Sequence, residues 1–410
     1  MSLRRDHPAR GSGAGRTRHG DQRHALSRRV ACRRGDGPPR SVRAARHGRG
    51  PPHHRCRLDL RHAPCPVGHP RPARTARHVE RWVVTRLMLG LSALVAGLCL
   101  AALLVGPAGL PIGDSLRALW SGDETPTAIV MREIRLPRML LALMIGASLG
   151  MAGAAMQGYL RNPLAEPGLI GVSGSAALGA VIAIQTGLSA MAPLALPLTA
   201  LSGALAGVLL ILLLAGPRGT SLTLILAGIA MSSMAAALTS LVLNLSPNPY
   251  AASEIVFWMM GSLADRAFVH VWLALPFMVV GWALLAGLGR GLDALTLGED
   301  AAQTMGIRLG RLRLMLILGT ASVVGAATAV AGAIGFVGLV VPHLLRGAVG
   351  ARPSRLIWAS ALGGAAMVLA ADIAVRVILP ERDLKLGVLT ALVGAPLFLH
   401  LVYKTRREMG

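Results

Sequence analysis

Long apolar runs separated by short polar segments fill the chain from residue 83 onward. Each run holds about twenty residues, which at 1.5 Å per helical residue crosses a hydrocarbon layer roughly 30 Å thick. We therefore expect an all-α fold, a polytopic membrane helical bundle of about ten transmembrane helices. The predicted spans lie near 87–107, 139–160, 169–187, 192–214, 221–244, 267–289, 312–333, a short one at 338–349, 355–379 and 387–403.

Residues 1–82 differ from the rest of the chain in composition. Arginine and histidine dominate residues 1–80, which contain no Lys, Ile, Phe, Asn, Tyr or Trp and cannot bury a core. The missing residues are those with mostly A/T-rich codons, as expected if G/C-rich upstream DNA were translated from a misplaced start. We expect residues 1–82 to be a disordered basic tail and the native chain to begin near Val83, Val84 or Met88, with 83–410 forming one transmembrane domain.

The tail carries Cys32, Cys56 and Cys65, and their spacing matches no compact zinc site, so we expect no metal there. A basic tail can also bind nucleic acid by counterion release. Nucleic acid is nevertheless not an expected partner. The alternative, a membrane-tethered nucleic-acid binder, predicts that deleting residues 1–80 abolishes function.

Charge sets the expected orientation. With the N-terminus in the cytoplasm, Lys and Arg are more frequent on cytoplasmic loops, as the positive-inside rule requires. The exceptions cluster outside, at Arg132, Arg135 and Arg138 before the second span and at Arg376 at the end of the ninth. A single arginine there can snorkel to lipid head groups, whereas several favour a docking surface for an acidic partner. Asp372 lies four residues before Arg376, on the same helix face. The alternative for Arg376 is therefore a structural ion pair with Asp372.

The sequence contains no energy source for uphill transport. A Walker A loop needs Gly-Lys-Ser/Thr, yet the only lysines are Lys385 and Lys404. No constellation of catalytic residues is present, and intramembrane acids are few. We therefore expect neither an enzyme nor a cofactor, and a separate chain as the motor. A secondary carrier or channel is the alternative of a different class.

The segment "LDALTLGEDAAQTMGIRLGRLR", residues 292–313, alternates apolar and polar positions. Glu299 and Asp300 suit the positive N-terminal end of a short helix. Gly298 and Gly306 flank that helix. The pattern favours a knob that inserts into a partner's groove, with a solvated connector as the alternative.

A second polar segment, "RNPLAEPGLIGVSGSA" at 161–176, separates two apolar runs. Pro163 and Pro167 are expected to end the second helix and to fix a bend at the cytoplasmic mouth. The small residues of 171–175 are expected to let the third helix pack closely. The Gly-x-x-x-Gly spacings at 146–150 and 203–207 predict further close helix contacts.

Several motifs together resemble the FecCD-type permeases of ABC importers, which carry iron chelates, haem and cobalamin. They are "GASLGMAGAAMQGYLRNPLAEPGLIGVSGSAALG" (146–179), "RLPR" (135–138), "LILAGIA" (224–230), "FWMMGSL" (257–263), "LGEDAAQTMGI" (297–307), "AGAIGFVGLVVPHLLR" (331–346) and "GVLTALVGAPLF" (387–398). The motifs cover residues 83–410 in family order. The resemblance implies the type II ABC importer permease fold and a multi-pass protein of the bacterial inner membrane.

The resemblance also implies partners. These are two copies of a cytoplasmic ATP-binding subunit, a periplasmic or lipoprotein substrate-binding protein and a second permease subunit, with a homodimer expected, besides membrane lipid. The implied substrate is a metal chelate, either haem or a ferric siderophore, with cobalamin as the alternative.

By the same resemblance, three groups of residues carry roles. The ATPase-coupling positions are Leu297, Gly298, Glu299, Asp300, Ala301, Ala302, Met305, Gly306 and Ile307. The positions that dock the binding protein are Arg135, Arg138 and Arg376. The cytoplasmic gate positions are Asn162, Leu164, Thr220 and Ser221.

Overall fold

The computed structural model describes residues 74–106, 109–120, 125–216, 220–378 and 384–409. All of them belong to one compact unit, His69–Gly410. The predictions made for the tail up to residue 73, including the three cysteines, lie outside the described residues. The expected boundary at residue 83 falls within a helix, because the first helix already begins at Arg74.

The described residues form sixteen α-helices. They are α1 (Arg74–Leu104), α2 (Ile112–Ala118), α3 (Pro126–Ile129), α4 (Leu136–Leu160), α5 (Val172–Gln185), α6 (Leu188–Met191), α7 (Ala195–Ala215), α8 (Ser221–Asn244), α9 (Pro249–Met259), α10 (Phe268–Gly287), α11 (Gly289–Leu295), α12 (Glu299–Thr304), α13 (Leu309–Ala331), α14 (Val337–Arg346), α15 (Pro353–Ile378) and α16 (Leu386–Met409). A π-helical segment, Val130–Arg135, leads into α4, and a 3-10 turn, Pro167–Ile170, precedes α5.

Seven of the described helical segments are long and apolar enough to cross a membrane, and three shorter apolar helices, α5, α14 and the first part of α16, complete the predicted set of spans. The all-α helical bundle is confirmed. The sequence pattern missed α9, an eleven-residue helix between the fifth and sixth spans. Its apolar residues were too few for a span, and Asn248, whose Oδ1 accepts the Tyr250 N–H, caps its start.

Small residues bring the central helices together, as their spacing predicts. Most of α4 is buried, and a side chain at Gly146 or Gly150 would collide with backbone of α15 at Gly364 or Ser360. On α7, Gly203 meets the Ser175 carbonyl of α5 in the same way. The close-contact role predicted for these glycine pairs is thereby confirmed.

Chain direction defines two ends of the bundle. Arg138 lies in the first turn of α4 and Arg376 in the last turn of α15, so both lie at one end, which we call the arginine end. At the opposite end, α15 begins at Pro353 and α13 begins just after α12. This second end, which we call the α12 end, also contains the polar segment that follows α4.

Candidate functional site

At the arginine end, two arginines share one carboxylate. Asp372 is fully buried on α15, and its Oδ1 accepts hydrogen bonds from Arg138 Nε at 2.9 Å and Nη2 at 2.8 Å. Its Oδ2 accepts from Arg376 Nη2, one turn further along the same helix. Of the two alternatives that the spacing left open for Asp372 and Arg376, the structural pair is present, and Arg138 joins it from α4.

Arg376, together with Arg135, also binds the C-terminus of α1. Arg376 Nη1 donates to the carbonyls of Ala102 at 2.8 Å and Val105 at 3.0 Å. Arg135 Nη1 donates to those of Leu103 at 2.8 Å and Leu104 at 3.0 Å. The last carbonyls of a helix lack partners and carry its partial negative charge, so guanidinium donors satisfy both needs.

The three arginines predicted to dock a partner are therefore brought together, but they differ in access. Arg135 is only 5% exposed, and its Nη2 is buried without a hydrogen-bond partner among the described residues. The Arg138 side chain keeps 18% of its surface and that of Arg376 keeps 8%. Sequence reasoning treated them as surface charges and missed the carbonyls that Arg135 and Arg376 bind.

At the α12 end, the polar segment after α4 forms the bend that its prolines predict. The α-helix stops at Leu160, and Arg161 takes a left-handed conformation with φ 49°. Asn162 Oδ1 then accepts the backbone N–H of Leu164 at 2.9 Å, which closes a turn around Pro163. Pro167 opens the 3-10 turn that leads to α5.

Glu166 fixes this bend to a second break in a helix. Its Oε1 accepts the backbone N–H of Phe336 at 2.9 Å, at the start of α14, where Phe336 has φ 66°. Gln157 Nε2 donates to the Leu339 carbonyl at 3.1 Å in the first turn of α14. Irregular backbone inside a membrane protein needs such partners. No local pattern in the sequence indicates this long-range pairing.

The start of α8 lies close to the same bend. Thr220 caps the helix, because its Oγ1 accepts the backbone N–H of Thr223 at 3.3 Å. Further along α8, Gly228 contacts the Leu169 carbonyl so closely that no side chain would fit. The two segments predicted to form a gate, at Asn162 with Leu164 and at Thr220 with Ser221, thus belong to neighbouring elements.

Helix α12 is short and bounded by glycines, as expected. Gly298 with φ 109° and Gly306 with φ 83° adopt conformations that favour glycine, and Glu299 and Asp300 occupy the first turn. Leu297 is 69% exposed and Met305 61% exposed, whereas Ala302 between them is fully buried. The helix is anchored by one face and presents apolar side chains at both ends.

Just before α12, Asp293 secures α11 to α15. Its Oδ1 accepts the Ser354 N–H at 2.9 Å and its Oδ2 accepts the Ser354 hydroxyl at 2.6 Å. A carboxylate at the N-terminus of α15 satisfies an orphan donor and complements the helix dipole. Sequence reasoning did not single out Asp293, although Pro353-Ser354 is a recognisable helix start.

The chain is similar in sequence and in fold to known transport proteins. Residues 93–404 match the FecCD transport family. The chain belongs to the FecCD transport family. It is 37% identical over 320 residues to the Fe(3+) dicitrate transport system permease protein FecD of Escherichia coli K12, covering 78% of this chain and 99% of that protein.

Other members show similar coverage. The vitamin B12 import system permease protein BtuC of Vibrio cholerae is 38% identical over 327 residues, covering 79% of this chain and 95% of BtuC. A metal-chelate type ABC transporter solved in an inward-facing conformation is 32% identical with a TM-score of 0.70, covering 78% of this chain and 99% of that one. This FecCD protein is thus a permease subunit of an ABC importer, and the family and fold indicated by its motifs are confirmed.

Proposed function

We propose that this permease carries a metal chelate, either haem or a ferric siderophore, across the bacterial inner membrane, driven by ATP hydrolysis on a separate subunit. The names of its relatives support a large chelate, since FecD belongs to a Fe(3+) dicitrate system and another relative to a metal-chelate transporter. Cobalamin is the second candidate, supported by the similarity to the vitamin B12 permease BtuC.

Residues 297–307 are the proposed contact with the ATPase. The proposal that a separate subunit drives transport depends mainly on this contact. The supporting observation is that Leu297 and Met305 are largely exposed at the two ends of α12, while Ala302 anchors it. Exposed apolar residues on a well-anchored helix suit a groove in a partner. Glu299 and Asp300 add charge at the same surface.

The arginine end is the proposed docking surface for the substrate-binding protein, which places it outside the membrane. Arg138 and Arg376 together carry one charge more than Asp372 neutralises, and Arg135 adds a further charge with a donor atom to spare. This excess of positive charge would attract acidic side chains of a partner. Because Arg135 and Arg376 are nearly buried, Arg138 would meet that partner first.

The bend at Asn162 and Leu164, with Thr220 and Ser221, is the proposed cytoplasmic gate. Its support is the direct packing of α8 on the turn that begins at Pro167, through Gly228 and Leu169. A shift of either element would be transmitted to the other.

A second permease subunit, most simply another copy of this chain, is the proposed partner of α8. Large apolar side chains stay exposed along this helix, among them Leu222, Leu226, Ile229, Met234 and Leu238. The tail up to residue 82 is proposed to be dispensable.

The proposal is tested by co-purification. A chain starting at Met88 would be expressed with its ATPase, and association would be compared with the double variant Glu299→Arg/Asp300→Arg. We expect the variant to insert normally and to lose the ATPase. The matched control is Glu254→Arg, an exposed acid on α9 at the opposite end. Normal ATPase recovery with the double variant would contradict the coupling site.

The substrate is tested by uptake in cells that lack their own permease. Radiolabelled haem, a ferric siderophore and cobalamin would be offered separately in the presence of the matching binding proteins. Uptake of an iron compound that unlabelled cobalamin does not reduce supports the first candidate. Uptake of cobalamin alone would replace it with the second.

A further inference from the structure

A basic cleft lies beside α12, where α10 ends and α13 begins. It has a volume of about 330 Å³ and contains the exposed side chains of Arg290, Arg308 and Arg311. Leu312 and Met315 form its apolar floor. Within the described part of the chain, no carboxylate forms an ion pair with these arginines and none lines the cleft. Three positive charges thus surround a space to which the described residues contribute no negative group.

An apolar groove continues from the cleft along α13, toward the interior of the bundle. It has a volume of about 280 Å³, and it runs between α7 and α10 with α13 beneath. Its lining includes Leu205, Val208, Phe277, Leu318 and Ser322. Among the described residues, no charged side chain lines this groove, in contrast to the cleft.

The cleft and the groove lie on one face of α13. Arg311 and Met315 belong to the cleft, while Leu318, Ser322 and Gly325 belong to the groove. These five positions are separated by four, three, four and three residues, which is the spacing of a single helix face. Residues 311–325 extend about 21 Å at 1.5 Å per residue, compared with roughly 15 Å for one half of the hydrocarbon layer.

We propose that the cleft and groove together bind one anionic phospholipid, with the phosphate among the arginines and an acyl chain along α13. Guanidinium groups bind phosphate through paired hydrogen bonds, and basic pockets at the ends of membrane helices bind anionic head groups. Leu314 and Phe277 are 45% and 43% exposed, so this face of α10 and α13 meets hydrocarbon in a membrane. With the arginine end outside, as proposed above, this lipid lies in the inner leaflet, and only this last point rests on the proposed function.

Two other occupants of the cleft fit less of the structure. An acidic segment of the ATPase would pair with the arginines, but it would leave the groove along α13 unexplained. Free phosphate would likewise use the cleft alone. Of these three occupants, only a phospholipid has a charged part that matches the cleft and an apolar part that matches the groove.

The test uses the full detergent-purified chain without ATPase, titrated with phosphatidylglycerol or phosphatidylcholine and followed by native mass spectrometry. The variant Arg308→Gln/Arg311→Gln is compared with Arg352→Gln/Arg355→Gln, which removes the same charge at the start of α15, outside the cleft. We expect about a fivefold loss of phosphatidylglycerol affinity per cleft arginine, hence about 25-fold for the double variant. The control variant should keep wild-type affinity, and phosphatidylcholine should bind weakly to all.

A second variant tests the groove. Ser202 is an exposed wall residue on α7 whose hydroxyl bonds only within its own helix, to the Thr199 carbonyl. Ser202→Phe should therefore fill the groove without disturbing the fold, and it should lower phosphatidylglycerol affinity, while Ser202→Ala should not.

Several results would overturn the lipid site. Equal losses in the cleft and control variants would do so, as would displacement of the lipid by inorganic phosphate at equal concentration. Retention of lipid by Arg308→Gln/Arg311→Gln with loss of ATPase binding would reassign the cleft to the ATPase. None of these readouts depends on the transported substrate.

Discussion

The two ends of this permease differ in the side chains that they bury and in those that they leave exposed. At the arginine end, charged groups are largely buried, where Asp372 accepts from Arg138 and Arg376, and the carbonyls at the end of α1 accept from Arg135 and Arg376. At the α12 end, the apolar side chains of Leu297 and Met305 remain outside. The arginine end pairs most of its buried polar groups within the chain, whereas the α12 end leaves large apolar side chains exposed, as the proposed contact with the ATPase would require.

The arginine end is therefore expected to contribute to the stability of the fold, and the α12 end to association with a partner. A buried carboxylate between two guanidiniums is costly to leave unpaired, so changes there should act on folding. Exposed apolar residues contribute little to the fold of the isolated chain, so changes there should act on binding. The two ends can be tested separately.

Asp372→Asn should have the largest effect. It leaves the largely buried guanidinium groups of Arg138 and Arg376 without a counter-charge, which costs up to about 3–5 kcal/mol. Thermal unfolding in detergent should show a large drop in midpoint temperature. The control, Glu133→Gln, removes an exposed acid at the same end and should change little. A small shift for Asp372→Asn would mean that the ion pairs with Arg138 and Arg376 contribute little to the stability of the fold.

Met305→Ala should have the next largest effect, and only on association. Burying a methionine side chain in a partner is worth about 2 kcal/mol, so ATPase affinity should fall about 30-fold while the unfolding midpoint stays the same. Titration of the purified ATPase onto permease in nanodiscs measures this. Thr304→Ala, which changes an exposed polar neighbour on α12, serves as the control. A lower unfolding midpoint with unchanged ATPase affinity would show that Met305 contributes to the fold and not to binding.

Glu166→Gln tests the contact between the bend after α4 and the start of α14. Glutamine keeps an acceptor for the Phe336 N–H but loses the charge, so the expected cost is about 1 kcal/mol. The unfolding midpoint should fall modestly. Glu254→Gln, on the exposed surface of α9, should leave it unchanged. If both variants behave alike, Glu166 does not hold the bend to α14.

The local parts of the fold were predictable from sequence because they depend on neighbouring residues. The bend at Pro163 and Pro167, the glycine contacts of α4 and the start of α12 at Glu299 all follow from residue type and spacing. The Asp372–Arg376 pair belongs to the same class, since both residues lie on one helix.

The remaining contacts join distant parts of the chain, and no local pattern encodes them. Arg138 reaches Asp372 across more than two hundred residues, and Glu166 reaches Phe336 across a gap of 170. Arg135 was predicted to be a surface charge because its neighbours suggested an outer loop. Its burial depends on where α1 ends, which periodicity locates only to within a few residues.

Glu299→Gln is the smallest change expected and the sharpest test of the comparison. Like Asp372→Asn, it replaces a carboxylate with its amide, but Glu299 lies in the exposed first turn of α12, where its interaction with the helix dipole is worth about 0.5 kcal/mol. The unfolding midpoint should barely move and should move less still at high salt. Because the two substitutions are chemically equivalent, a difference of several kcal/mol between them can arise only from burial and from the two arginines on Asp372. Similar losses in both variants would show that α12 is held by charge, and the two ends would then be stabilised in the same way.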